Sequence, residues 1–331
     1  MDDEFNDSIR RRNLLGYWML STTSDRDREP SANFRPFLWD WATVREAIYE
    51  ASIHVPKEQA YRRFIGMKHP DLPTGTTPNY FLGCQLILAG ESAPAHRHMM
   101  DAVRLVIEGD GSASTVVDGE PFPMHRWDVI TTPNFSWHEH VSSGSRDTIW
   151  VDAAVSPLIR HFGVGFAEIS SEKRRPPVRE PGWSRTAHAQ PSSHARRLAY
   201  RFAWEDTRRA LDQAAEAPHP CDDSVAPLRD PRLGGFTLDT LNCEMVRLRA
   251  GWRGRRHRHV HATTYHVLSG SGTTFIGDQR VAWKSGDTFV VPIWTWHSHV
   301  NDAEEECLLF SADDLPVHRA LAFERWEDEP S

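Results

Sequence analysis

The chain carries one pattern twice. His96-Arg97-His98 returns as His257-Arg258-His259, and STVVDGEPFPMHRWDVITTPNFSWHEH (residues 114–140) aligns without a gap on TTFIGDQRVAWKSGDTFVVPIWTWHSH (residues 273–299). Both copies hold a Gly-x-Gly turn, an aspartate ahead of an apolar strand (Asp128, Asp287), a proline, and a closing Trp-His-x-His. Their one difference in length falls in the turns, EGDGSA against SGSG. Order, spacing and chemistry kept together mark an internal duplication, so the chain has to fold as two versions of one unit.

That unit reads as short strands. VRLVIEG, ASTVVDG, DVITTP and DTFVVP are rich in β-branched residues and bounded by Gly, Asp or Pro. Many short strands with regular turns predict a closed sandwich or barrel of the jelly-roll kind. Outside the repeats the apolar spacing turns helical, over 39–55 and 203–217, and residues 172–196 are rich in Pro, Ser and Arg. The predicted fold class is therefore mainly β: an N-terminal helical arm (1–75), a first barrel (76–170), a linker with a helix (171–235) and a second barrel (236–331).

Composition narrows the function. The 331 residues suffice for two sizeable cores, and a net charge of −8 without a basic block argues against nucleic acid as partner. No apolar run approaches the ~18 residues of a membrane span, and the charged start MDDEFNDSIRRRNLL lacks the apolar core of a secretion signal. The four cysteines form no Cys-x-x-Cys pair, which disfavours a disulfide scaffold or zinc ribbon and fits a reducing cytoplasm. Cys84 and most of the 13 tryptophans read as packing groups.

The histidines carry the chemistry. Residues two apart on a strand face one way, so His96 and His98 point together, and His138 follows on a later strand. A His-x-His pair alone is as often a structural hydrogen-bonder as a ligand. The pair followed by Pro-x-x-x-Trp-His, all of it duplicated in His257, His259 and His297, favours a metal held by neutral imidazoles. Arg104 then stands out in an apolar run. On a regular strand six residues past His98 it faces the metal side with Met100 and Ala102, whereas Asp101 faces away. A buried guanidinium needs an anion. The candidates are a substrate carboxylate held bidentately, or an acidic residue of another strand such as Glu139 or Glu120. The second copy has Tyr265 at the matching position, so if the chemistry needs both metal and arginine the first barrel is the active one and the second is degenerate or structural.

The spacing from Gly90 to His96-x-His98 resembles the first cupin motif, with Ala102 and Val103 where its glutamate ligand is expected. More specifically, the chain resembles the bicupin gentisate 1,2-dioxygenases and their relatives acting on salicylates and 1-hydroxy-2-naphthoate. The likeness runs through PFLWDWATVREAIYEASIHVPKEQAYRRF, the HRH…R…IEG run, LRDPRLGGFTLDTL, and HRHVHATTYHVLSGSGTTFIGDQRVAW. It implies a ring-cleaving dioxygenase that consumes O2 and a small aromatic acid with carboxylate and hydroxyl on adjacent carbons. It implies Fe(II) on His96, His98 and His138 in the first barrel only, Arg104 as carboxylate binder, and His140 as a hydrogen-bonding or proton-transfer group. It further implies a second pocket arginine, Arg62 or Arg63, a substrate wall at Phe81-x-Gly83, and a homotetramer. Met100 and Phe81 depart from the family pattern and point away from gentisate itself, towards a differently substituted salicylate. Rival readings are a sugar-isomerase cupin, which ordinarily uses the missing glutamate, and a non-catalytic metal- or ligand-binding bicupin.

Overall fold

The computed structural model describes residues 3–19, 29–55, 63–171, 178–186, 188–191, 194 and 196–329. Each repeat forms two facing antiparallel sheets. In the first barrel a six-stranded sheet runs in the order 201–202, 129–132, 102–108, 148–154, 81–87, 63–66. It faces a five-stranded sheet in the order 167–169, 92–98, 138–142, 110–117, 120–125. The second barrel repeats both, with 37–39, 288–291, 263–269, 307–313, 242–248, 224–227 in one sheet and 279–284, 271–276, 297–300, 257–259, 326–328 in the other.

The sequence explains these choices locally. The central strands Thr148–Ala154 and Cys307–Asp313 are buried at every position, which is why TIWVDAA and CLLFSAD lack polar alternation. Asp118 and Gly119, both at positive φ, close the tight hairpin between Val117 and Glu120, where only such residues fit without strain. The extra residues of the first copy are absorbed as a register shift between Asp110 and Ser114 at the start of that strand.

The predicted helices form at Trp41–His54 and Trp204–Ala214, and each ties the two barrels together. The strand Phe37–Trp39 does not join the barrel that follows it. It pairs with Thr288–Val290 of the second barrel, while the next helix packs on Arg63–Gly66 and Phe81–Ile87 of the first. The linker does the reverse. Arg201–Phe202 pairs with Val129–Ile130 of the first barrel, and the helix after it packs on Ser224–Pro227 and Asn242–Leu248 of the second.

The duplicated aspartates pin these crossings. Oδ1 of Asp287 accepts the Trp41 amide at 3.0 Å, and Oδ1 of Asp128 accepts the Trp204 amide at 2.9 Å. Both carboxylates are buried, and each sits at a helix N-terminus, where backbone N–H groups lack partners and the helix dipole favours negative charge. Asp128 also accepts from the His125 amide and from Nε of Arg201. Between the barrels one continuous apolar core runs from Leu82 and Cys84 to Cys243 and Phe310. The buried Tyr80 hydroxyl reaches across it to the Ala312 carbonyl at 2.7 Å.

Asp128→Ala should therefore cost about 3 kcal/mol, the scale of losing several hydrogen bonds to one buried charge. Asp128→Asn, which keeps one accepting oxygen, should cost less. Denaturant unfolding reads both, and an unchanged midpoint for Asp128→Ala would refute the pinning role.

Candidate metal centre

His96 and His98 lie on the strand Ser92–His98, and His138 opens the strand His138–Ser142 beside it, paired with His96. The three rings converge, with centroids 5.5 Å (His96–His98), 4.0 Å (His96–His138) and 4.8 Å (His98–His138) apart. One nitrogen from each lies within 4.8 Å of the others. Each Nδ1 meets a backbone carbonyl: Pro94 at 3.1 Å, Met100 at 2.8 Å and Ser136 at 3.0 Å. A carbonyl can only accept, so Nδ1 carries the proton and Nε2 keeps its lone pair for a metal. Nε2 of His138 is buried with no hydrogen-bond partner among the described residues. Burial, with the charges of His96, His98 and Arg104 nearby, holds the His138 proton affinity well below the usual imidazole range. Three fixed neutral imidazoles with inward lone pairs fit a divalent transition-metal ion.

Arg104 is buried inside the barrel, but not along the route that strand parity suggests. The strand carrying His98 ends there, the chain bends at Met99 and Met100, and Arg104 belongs to the next strand, in the facing sheet. Its acidic neighbour is not Glu120, which accepts from the Gly182 and Ser184 amides. It is Asp152, directly opposite Arg104 on the adjacent strand, with Nε and Oδ1 3.2 Å apart. This is an ionic contact without hydrogen-bond alignment at those two atoms, and Nη1 of Arg104 donates to Thr132. Asp152 also accepts from the Trp150 indole at 3.0 Å. The repeat itself held the clue to Asp152: where the second copy replaces Arg104 with Tyr265, it replaces Asp152 with Ser311, and those two again lie opposite each other.

The other expected residues divide. His140 is fully buried, its Nδ1 held 3.1 Å from the Thr115 hydroxyl and its ring against Trp150. Phe81 and Met100 line one pocket of about 360 Å³, together with Phe64, Lys68 and Arg160. Gly83 lies under the Phe64 ring, where a Cβ would come within 2.0 Å of it. Phe64, Lys68 and Arg160 had no signature in the sequence, because two segments far apart in the chain bring them together. Arg63 donates to Glu91 at 2.6 Å, and Arg62 lies outside the described residues.

The cupin domain family matches residues 84–154 and 244–313, one stretch in each barrel. The chain is 35% identical to a 1-hydroxy-2-naphthoate 1,2-dioxygenase of Nocardioides sp. (strain KP7), over 86% of this chain and 77% of that protein. It is 32% identical to a 5-aminosalicylate 1,2-dioxygenase of Comamonas sp, over 98% of this chain and 89% of that one. The crystal structure of a salicylate 1,2-dioxygenase from Pseudaminobacter salicylatoxidans superposes with a TM-score of 0.87 at 28% identity, covering 99% of this chain and 98% of the other.

His138→Ala should fold and lose one equivalent of metal per chain, and a fully metallated variant would refute the ligand set. Arg104→Ala should cost about 3–5 kcal/mol by stranding the buried Asp152 charge. Arg104→Tyr combined with Asp152→Ser, which copies the second barrel, should recover most of that in the same unfolding assay.

Proposed function

This chain belongs to the bicupin family of ring-cleaving 1,2-dioxygenases that includes the gentisate and salicylate enzymes, and from that footing we propose its substrate, metal and working residues. The substrate is a 2-hydroxybenzoate-type acid, the feature common to the compounds for which its relatives are named. The ring opens between the carboxyl-bearing and hydroxyl-bearing carbons, and both atoms of O2 enter the product. The metal is Fe(II), on His96, His98 and His138. The observation that carries this reading is the convergence of three tautomer-fixed imidazoles beside a buried guanidinium.

When bound, ferrous iron supplies the redox centre at which dioxygen can react with an aromatic ring. The remaining work falls to the chain. Arg104 binds the carboxylate and offsets its charge, with Thr132 and Asp152 fixing the orientation of its guanidinium. Burial strengthens that pairing, because little water competes for either partner. His140, anchored through Thr115, is the hydrogen-bonding or proton-transfer group beside the ring oxygen. Lys68 and Arg160 place positive charge at the pocket wall, which favours entry of an acid. Phe64, Phe81 and Met100 are apolar, and in this reading they meet the further substituent of the ring, which supports a differently substituted salicylate rather than gentisate. Arg62 is the second arginine of this reading, since Arg63 is engaged by Glu91.

The proposed setting is the cytoplasm, in keeping with four cysteines that are all free and buried. Among the described residues no helix is long and apolar enough to cross a membrane. The proposed assembly is a homotetramer, supported by the exposed Leu14, Leu15 and Trp18 of the arm, apolar groups of the kind that subunit contacts cover.

Oxygen uptake by the Fe(II)-loaded enzyme on gentisate, salicylate, 5-substituted salicylates and 1-hydroxy-2-naphthoate tests the reading. Stoichiometric uptake and a product heavier by two oxygen atoms are expected for at least one. No uptake on any of them, with iron bound, would return the chain to the isomerase or binding-protein readings. The Arg104→Tyr, Asp152→Ser variant should keep its metal and raise KM by about 100-fold, the scale of one charge-assisted bidentate pair. An unchanged KM would remove Arg104 from the substrate site.

A further inference from the structure

A cavity of about 730 Å³ lies on the seam between the barrels, where the helix Trp41–His54 crosses it. Its walls are turns 107–110, 126–127 and 145–147 of the first barrel, 266–268 and 285–286 of the second, and Trp41 and Tyr49 of the helix. It shares no residue with the first histidine triad or with the Phe81–Met100 pocket. Its volume falls in the range of small-molecule sites, about 300–1,000 Å³.

One buried polar group in its wall breaks the repeat. His266 holds the register position that Leu105 holds in the first copy, and Leu105 belongs to the apolar core between the barrels. The imidazole is 1% exposed. Among the described residues its one hydrogen bond joins Nδ1 to the Thr288 hydroxyl at 2.9 Å, and Nε2 has none. Trp41 meets the ring edge-on at 6.0 Å. Burial lowers its proton affinity to about 4, so the imidazole is neutral at pH 7. A buried nitrogen without a partner costs free energy that a leucine would not incur, and a ligand in the cavity that His266 lines removes that cost. The crossings also differ in their rings. Trp204 meets Trp127 at 4.9 Å, whereas its counterpart Trp41 lies on Gly286, the counterpart of Trp127, where a Cβ would come within 2.4 Å of the indole. The second crossing therefore has one indole where the first has two.

Two guanidiniums stand at the rim. Arg126 and Arg146 are exposed, and among the described residues neither makes a hydrogen bond or ion pair through its side chain. Arg126 lies over the Trp127 ring at 4.5 Å. The carboxylates of the same wall are already engaged. Glu108 accepts from Nε of Arg45 at 2.9 Å, Asp110 from the amide and hydroxyl of Ser112, and Asp147 from the Ala89 amide at 3.0 Å. Asp110 also feels the charge of Arg146 without pairing with it. What the cavity leaves unmet is a pair of cations at its edge, an imidazole nitrogen in its wall and flat indole surface between them.

We propose that this cavity binds a flat bicyclic aromatic anion, an aryl carboxylate or a nucleoside monophosphate, with its rings against Trp41 and Trp127, its anionic group on Arg126 and Arg146, and a hydrogen bond to Nε2 of His266. Guanidinium groups hold carboxylate and phosphate oxygens through charge-assisted bonds, and indoles offer stacking area to a ring system. Such a ligand touches both barrels at once, so it binds the docked form of the chain and stabilises it. The site is separate from the metal centre and does not depend on ring cleavage.

Equilibrium dialysis of the Fe(II)-loaded protein without oxygen, with 2-naphthoate and with adenosine monophosphate as probes, tests this. At least one probe is expected to bind, and which one does separates the carboxylate from the phosphate source. The Arg126→Ala, Arg146→Ala variant should weaken that binding by about 10-fold or more, the scale of a lost charge-assisted contact. His266→Leu, which copies the first barrel, should weaken it by about 5-fold, the scale of one hydrogen bond. The Arg104→Tyr, Asp152→Ser variant should leave it unchanged. Binding of neither probe, or binding that the arginine variant leaves intact, would overturn the proposal. Binding lost only with Arg104 and Asp152 would do the same, since it would put the probe inside the first barrel. Arg126 and Arg146 are exposed, so their variant decides the matter even where His266→Leu does not fold.

Discussion

Two buried carboxylates hold the halves of this molecule in register. Asp128 and Asp287 each end the turn before an apolar strand and accept the first amide of a helix that belongs to the opposite barrel. A carboxylate is suited to that position: it meets unpartnered N–H groups and the positive end of the helix dipole, and burial strengthens both terms. Strand 37–39 and strand 201–202 can reach across only because the helix behind each is fixed at its start. The shared core follows from the same crossing, since it brings Leu82 and Cys84 against Cys243 and Phe310.

Within this common frame the interiors have separated by charge. In the first, a guanidinium and a carboxylate face each other across adjacent strands beside neutral imidazoles. In the second, Tyr265 and Ser311 stand opposite each other where that pair would be, and Tyr265 stacks on Phe289. The backbone is indifferent to the change. The Nδ1 tethers survive because they use carbonyls, which no substitution removes, so the triad geometry persists in both barrels while side chains around it decide what can bind.

Much of this was legible in the sequence, for reasons that differ by residue. Strands, helices and the histidine triads were readable because they are periodic and duplicated, and the duplicated aspartates were visible as motifs without their purpose being visible. Arg104 was legible as an anomaly, a charge in an apolar run. Its partner Asp152 was present in an equally apolar run, but pairing requires knowing which strands are neighbours, and that is a property of sheet order rather than spacing. The bend at Met99 and Met100 was missed because parity assumes one continuous strand. Phe64, Lys68 and Arg160 were out of reach because a pocket wall has no period.

The crossing strands bear on where such a chain comes from. A solitary copy of the unit would carry a leading strand that its own sheet does not receive, together with an open edge where a foreign strand should lie. Two identical copies would satisfy each other by reciprocal exchange around a twofold axis. The present molecule has the form of that exchanged pair made continuous, with the linker as the suture. Once joined, the halves no longer had to be the same, and one was free to keep the chemistry while the other kept the scaffold. Cutting the chain at the linker would therefore not release two barrels; it would produce two fragments, each still lacking the edge that the other supplies.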